Sequence, residues 1–82
     1  MQITVQLLAT YRRYLPPGVG QDAQDSYAHE VAPGTTVADV LAGLPLAPAE
    51  LTTALVNGRH AERELVLQAG DLLTVFPPAG GG

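Results

Sequence analysis

The residues that could do chemistry in this chain crowd at its end. Phe76-Pro77-Pro78 is followed by Ala79-Gly80-Gly81-Gly82, so the last carboxylate stands behind almost no side-chain volume. Pro77 and Pro78 have no N–H to give to a strand ladder, so pairing stops there. Both favour an extended backbone that carries the following residues outward. Residues 77–82 reach about 20 Å at roughly 3.3–3.6 Å each, enough to thread a carboxylate into a site on another protein. Glycine suits a narrow channel because the walls can touch backbone directly. It also leaves the terminal carbonyl open to a nucleophile or an incoming phosphate. Three glycines alone would describe a frayed end equally well. The diproline exit immediately before them makes the tail specific.

Elsewhere the usual catalytic constellations are missing. His29 and His60 are far apart in sequence and lack ligand spacing, and a metal site needs several converging donors, so no metal is expected. Glu62 and Glu64 sit in a polar stretch and read as solvated charges. Gly18-Val19-Gly20 lacks the third glycine of a dinucleotide loop, and a phosphate loop lacks its lysine. Ser26, the one serine, has no motif around it. Arg12-Arg13 could take a partner's carboxylate or phosphate, and reads equally well as a solvated turn. There are no cysteines, which removes disulfides, thiolate catalysis and cysteine metal sites.

The elements that must position the tail follow from periodicity. Gln2 to Leu7 alternates, with Ile3, Val5 and Leu7 on one face, as in a half-buried strand. Residues 9–25 read as a loop with a helical turn at Tyr11-Arg12-Arg13-Tyr14, broken by Pro16-Pro17-Gly18 and Gly20. Ser26 to Val31 is a weaker strand with Tyr27, His29 and Val31 on one face, ended by Pro33-Gly34. Thr36 and Asp39 approximate a capping box, and Val37, Val40, Leu41 and Leu44 then follow at helical spacing. Gly43 and Pro45 close this helix of about two turns. Leu51 to Val56 is a third strand, and Asn57-Gly58 is a tight-turn signal because both residues tolerate positive φ. Arg59 to Glu64 predicts a short return strand and loop. Leu65-Val66-Leu67 is apolar, Ala69-Gly70-Asp71 is a turn, and Leu72 to Phe76 is a last strand. The last strand is apolar on both faces, which suits the centre of a sheet.

This order is α+β: one main helix packed across a mixed sheet of four or five strands, in the β-grasp or ubiquitin-like sequence of elements. Residues 1–76 form the domain and 77–82 the flexible tail. Phe76 reads either as an apolar anchor for a partner beside the tail or as a core residue of the last strand. Alternation groups it with Leu72 and Thr74 without deciding which face is buried.

The bulk numbers bound the domain and its partners. At 82 residues there is one domain with a thin core and little room for a deep cleft. A net charge of −4 disfavours nucleic acid and anionic membranes as partners and suits docking on a basic protein surface. No apolar run approaches the roughly 20 residues that cross a bilayer, and Met1-Gln2-Ile3-Thr4-Val5 lacks a basic start followed by a long apolar stretch, so a cytoplasmic location is expected. All four cations are arginine. Lysine-free surfaces spare an activated acyl group from amine attack, although coding bias accounts for the composition more simply.

These residues carry a resemblance. Val56-Asn57-Gly58, Leu67-Gln68-Ala69-Gly70-Asp71 and Phe76-Pro77-Pro78-Ala79-Gly80-Gly81-Gly82 are similar, in order and spacing, to the ending of the MoaD/ThiS sulfur-carrier family. Ile3-Thr4-Val5 through Leu8-Ala9 to Tyr11-Arg12 resembles its start, and Pro33-Gly34-Thr35-Thr36-Val37-Ala38-Asp39-Val40-Leu41 its helix entry. Gly80 departs from the family pattern, and the diglycine stays terminal.

The resemblance implies a mechanism. An E1-like adenylyltransferase would use ATP to adenylate the Gly82 carboxylate, and a sulfurtransferase would supply the sulfur that displaces AMP, leaving a thiocarboxylate. Pro77, Pro78, Ala79, Gly80 and Gly81 would thread into the partner. Phe76 and Arg12 are the docking candidates. The chain would bind no cofactor of its own and would be a cosubstrate rather than an enzyme. Its size resembles that of the small subunit of molybdopterin synthase, which implies a large catalytic subunit, a heterotetramer and a role in molybdenum cofactor synthesis. Delivery to thiamin thiazole, conjugation to proteins through Gly82, and a plain β-grasp interaction domain remain the alternatives.

Overall fold

The computed structural model describes residues 1–15, 26–44 and 52–77. Among these, five strands form one sheet: β1 (Gln2–Leu7), β2 (Ser26–Glu30), β3 (Thr53–Val56), β4 (Arg59–His60) and β5 (Leu72–Phe76). Helix α1 (Val37–Ala42) packs across it, and a 3-10 helix occupies Ala9–Tyr14. The strand order is β2-β1-β5-β3-β4. β1 and β5 run parallel, and every other neighbouring pair is antiparallel. The central place of β5 is the one its apolar faces predict.

Register decides which face is core. Val5 pairs with Leu73 and Leu7 with Val75, and all four are fully buried with Ile3. Val37, Val40 and Leu41 of α1 join the same core, as do Ala54, Val56, Leu67 and Tyr11. Each such aliphatic side chain contributes about 1.5–3 kcal/mol by leaving water. Tyr27 and His29 on β2 face the same side and are half-buried, as their alternation predicts. Leu44, just past α1, packs against the edge of the core.

α1 is too short to persist alone and is held by packing and by its cap. Asp39 N–H donates to the Thr36 hydroxyl at 3.2 Å, and Thr36 N–H donates to the Asp39 carboxylate at 3.0 Å. The next free helix donors, on Val37 and Ala38, reach the carbonyls of Leu65 and Arg63 at 3.0 Å each.

The structure moves some boundaries. β3 begins at Thr53 rather than Leu51, and Leu51 lies outside the described residues. The return strand after the Asn57-Gly58 turn is only Arg59–His60. Of the apolar run after it, Leu67 alone is buried, while Val66 bridges to Thr36 and stays exposed. The helical turn is longer than expected and begins at Ala9, whose φ of 54° lets the chain leave β1 abruptly. Tyr11 there is a core residue rather than part of a polar loop. Among the described residues, no helix is long and apolar enough to cross a membrane.

Candidate functional site

The tail leaves from the end of β5, and the sheet dictates what surrounds that point. Because β1 runs parallel to β5, both strands finish at the same edge. Leu8 N–H continues the ladder to the Val75 carbonyl at 3.0 Å. The chain then turns into the 3-10 helix, which packs against β5. On the other side β3 is antiparallel and therefore begins where β5 ends, with Thr53 opposite Phe76. The Tyr11 and Thr52 hydroxyls meet at 3.1 Å and join the two flanks of the exit. Pro77 is half-buried and ends the described chain there. Pro78, Ala79, Gly80, Gly81 and Gly82 lie outside the described residues.

Phe76 is half-buried and points away from the α1 side, because Leu73 and Val75 occupy the core face. Leu72 and Thr74 share its face, with Leu55 opposite Thr74. Leu55 and Leu72 are half-buried as well. Thr74, only 7% exposed as a residue, donates its hydroxyl to Gln6 Oε1 at 2.9 Å. The outer face therefore carries an apolar strip whose buried hydroxyl is satisfied, leading to the tail. Arg12 and Arg13 lie exposed on the 3-10 helix at the same end, with the Arg13 guanidinium 5.9 Å from the Tyr14 ring centre. The structure thus brings Phe76, Pro77 and Arg12 to one pole. Leu72 shares this face by alternation along β5, whereas the place of Leu55 depends on strand register and has no signal in the sequence alone.

The other candidate groups are dispersed. His29 stacks edge-on to Tyr27, with ring centres 6.1 Å apart. Burial raises the Tyr27 phenol above its ordinary value. His60, Glu62 and Glu64 are exposed. Among the described residues, no three histidine or carboxylate groups converge as a metal site.

The polar motif residues cluster instead at the far end of β5. Asn57 and Gly58 both take positive φ, 53° and 84°, as a tight hairpin turn requires. The Asn57 side-chain amide donates to Asp71 Oδ1 at 3.0 Å, and its oxygen accepts from Leu72 N–H at 2.9 Å. Asp71 Oδ2 accepts from Gln68 N–H at 2.8 Å. The backbone continues the clasp: Asn57 N–H reaches the Leu72 carbonyl, Thr4 N–H the Asp71 carbonyl, and Gly70 N–H the Gln2 carbonyl, at 2.8–2.9 Å. The turn signals in the sequence are therefore two halves of one structural lock.

Comparison with known proteins agrees with this architecture. The ThiS family model matches residues 5–82. No curated protein matches the chain. Small archaeal modifier protein 1 of Haloferax volcanii superposes with a TM-score of 0.70 at 22% identity, covering 100% of both chains. A Pyrococcus furiosus protein named for molybdopterin converting factor subunit 1 gives 0.70 at 21% identity, over 95% of this chain and 98% of that one. The Haloferax volcanii HVO 2177 protein gives 0.75 at 27% identity, over 100% of this chain and 87% of that one. The architecture is the ubiquitin-like β-grasp.

Proposed function

The chain belongs to the ThiS family of small ubiquitin-like carrier proteins, and from that premise we propose that it carries sulfur on the Gly82 carboxylate. The carboxylate oxygen attacks the α-phosphate of ATP on an E1-like adenylyltransferase, and pyrophosphate leaves. The outer sulfur of a persulfide on a sulfurtransferase then attacks the acyl carbon and AMP departs; a thiol reduces the resulting acyl disulfide, becoming oxidised to a disulfide, and a thiocarboxylate remains. The thiocarboxylate sulfur attacks an electrophilic carbon of an acceptor held by a larger catalytic subunit and displaces a leaving group there; water then cleaves the acyl carbon–sulfur bond, which leaves sulfur on the acceptor and returns the carboxylate. This chain supplies reach and an unhindered acyl group. The catalytic groups belong to its partners.

The observation that carries this reading is the family match running through Gly82. The exit at Pro77 is consistent with it, since the tail starts at the edge of a rigid central strand. We assign the sulfur to molybdopterin, a reading supported by the likeness to the Pyrococcus furiosus protein named for molybdopterin converting factor subunit 1. The outer face around Phe76, Leu72 and Leu55 is the docking surface for the large subunit, with Arg12 at its margin. ATP-dependent activation fits a cytoplasmic setting.

Deleting Gly82 alone tests the reading. The truncated chain should unfold at the same denaturant concentration as the full chain and take up no sulfur from activating enzyme, ATP and donor. Thiolation of the truncated chain would refute the mechanism.

A further inference from the structure

We propose that Asn57 is a deamidation site held in check by Asp71, and that its modification opens the lock at the start of β5. The chemistry needs a nucleophile next in sequence. Gly58 provides one, because its backbone nitrogen has no neighbouring side chain to hinder approach to the Asn57 side-chain carbonyl carbon. In the reaction a bond forms between Gly58 N and Asn57 Cγ, the bond from Cγ to Nδ2 breaks, and ammonia leaves with the proton from Gly58 N. Water then opens the five-membered imide at either carbonyl, giving aspartate or isoaspartate at position 57.

The folded geometry opposes the first step. Asn57 Nδ2 is tied to Asp71 Oδ1 at 3.0 Å and Asn57 Oδ1 to Leu72 N–H at 2.9 Å. Cγ cannot swing onto Gly58 N while both bonds hold. The amide orientation is fixed by its partners, since a flip would set oxygen against the Asp71 carboxylate and N–H against N–H. The product is incompatible with the same site. A carboxylate at position 57 still accepts from Leu72 N–H, but it has lost its donor and faces Asp71 as a like charge. Isoaspartate also lengthens the backbone within a turn that needs two consecutive positive φ values. The modification is therefore slow in the folded chain, and once it occurs it weakens the lock.

The test is ageing of the full chain in mildly alkaline buffer, with peptide mapping for conversion at Asn57. Conversion should be at least about tenfold slower in native buffer than in denaturant. Equal rates in the two would overturn the protection. A second measurement uses variants. Asn57→Asp should lower the denaturation midpoint. Adding Asp71→Asn should recover part of the loss, because the amide–carboxylate pair is rebuilt with its ends exchanged. If the double variant is no more stable than Asn57→Asp, the like-charge account is wrong.

Discussion

At its first residue β5 is clasped by side chains and loops; at its last it is released. Leu72 is bound through its N–H to Asn57 Oδ1, through its carbonyl to Asn57 N–H, and sits beside Asp71, which holds Gln68 and Asn57. Phe76 lies opposite Thr53 at the start of β3, and Pro77 cannot extend the ladder. The end rich in polar side chains is structural, and the end proposed for chemistry carries almost no side chains in its sequence. A fixed start and an interrupted finish let one strand anchor the fold and present a tail. Polar residues with a motif-like spacing are thus poor guides to reactivity when their partners are each other.

The difference can be broken most strongly at the clasped end. Asp71→Ala removes the acceptor of two hydrogen bonds to a charged group, which should cost about 1.5–3 kcal/mol in urea unfolding. The folded fraction should still be thiolated at the normal rate, and a proportionate loss of thiolation would couple the two ends. Phe76→Ala should act in the opposite sense. Binding to the large catalytic subunit, measured by titration calorimetry, should weaken by about 1–2 kcal/mol, roughly tenfold, while the chain stays folded. Unchanged affinity would remove the outer face as the docking surface.

The smallest effect belongs to neither end. Tyr27, on the edge strand β2, has its phenol raised above 10.0 by burial. Folding therefore favours the neutral phenol. Its stabilisation is complete below the unfolded value and is lost as pH rises through the higher folded value. Absorbance titration of tyrosinate should show a late-ionising component that Tyr27→Phe removes, with sulfur loading untouched.

Legibility from sequence followed the strength of local periodicity. β1 was readable because Ile3, Val5 and Leu7 alternate with polar residues, and α1 because its capping box precedes apolar residues at helical spacing. Tyr11 was not, because a buried ring between Ala9 and two arginines has no period, and a left-handed Ala9 has no glycine to announce it. The side on which Phe76 lies was undecidable, since both faces of β5 are apolar and only its register with β1 separates them. The lock had the same difficulty. Asn57-Gly58 and Gly70-Asp71 each read as a turn, but their contact exists only after β3 pairs with β5. The tail is read from composition and order alone, as two prolines before Ala79 and three glycines, and residues 78–82 lie outside the described residues.

The central claim is the chemical state of that carboxylate. The direct measurement is intact mass after incubation with the activating enzyme, ATP and a sulfur donor, followed by fragmentation of the C-terminal peptide. The account predicts a gain of about 16 Da, oxygen replaced by sulfur, confined to Gly82 and dependent on ATP. No gain with an active adenylyltransferase, or a gain located anywhere else in the chain, would contradict it.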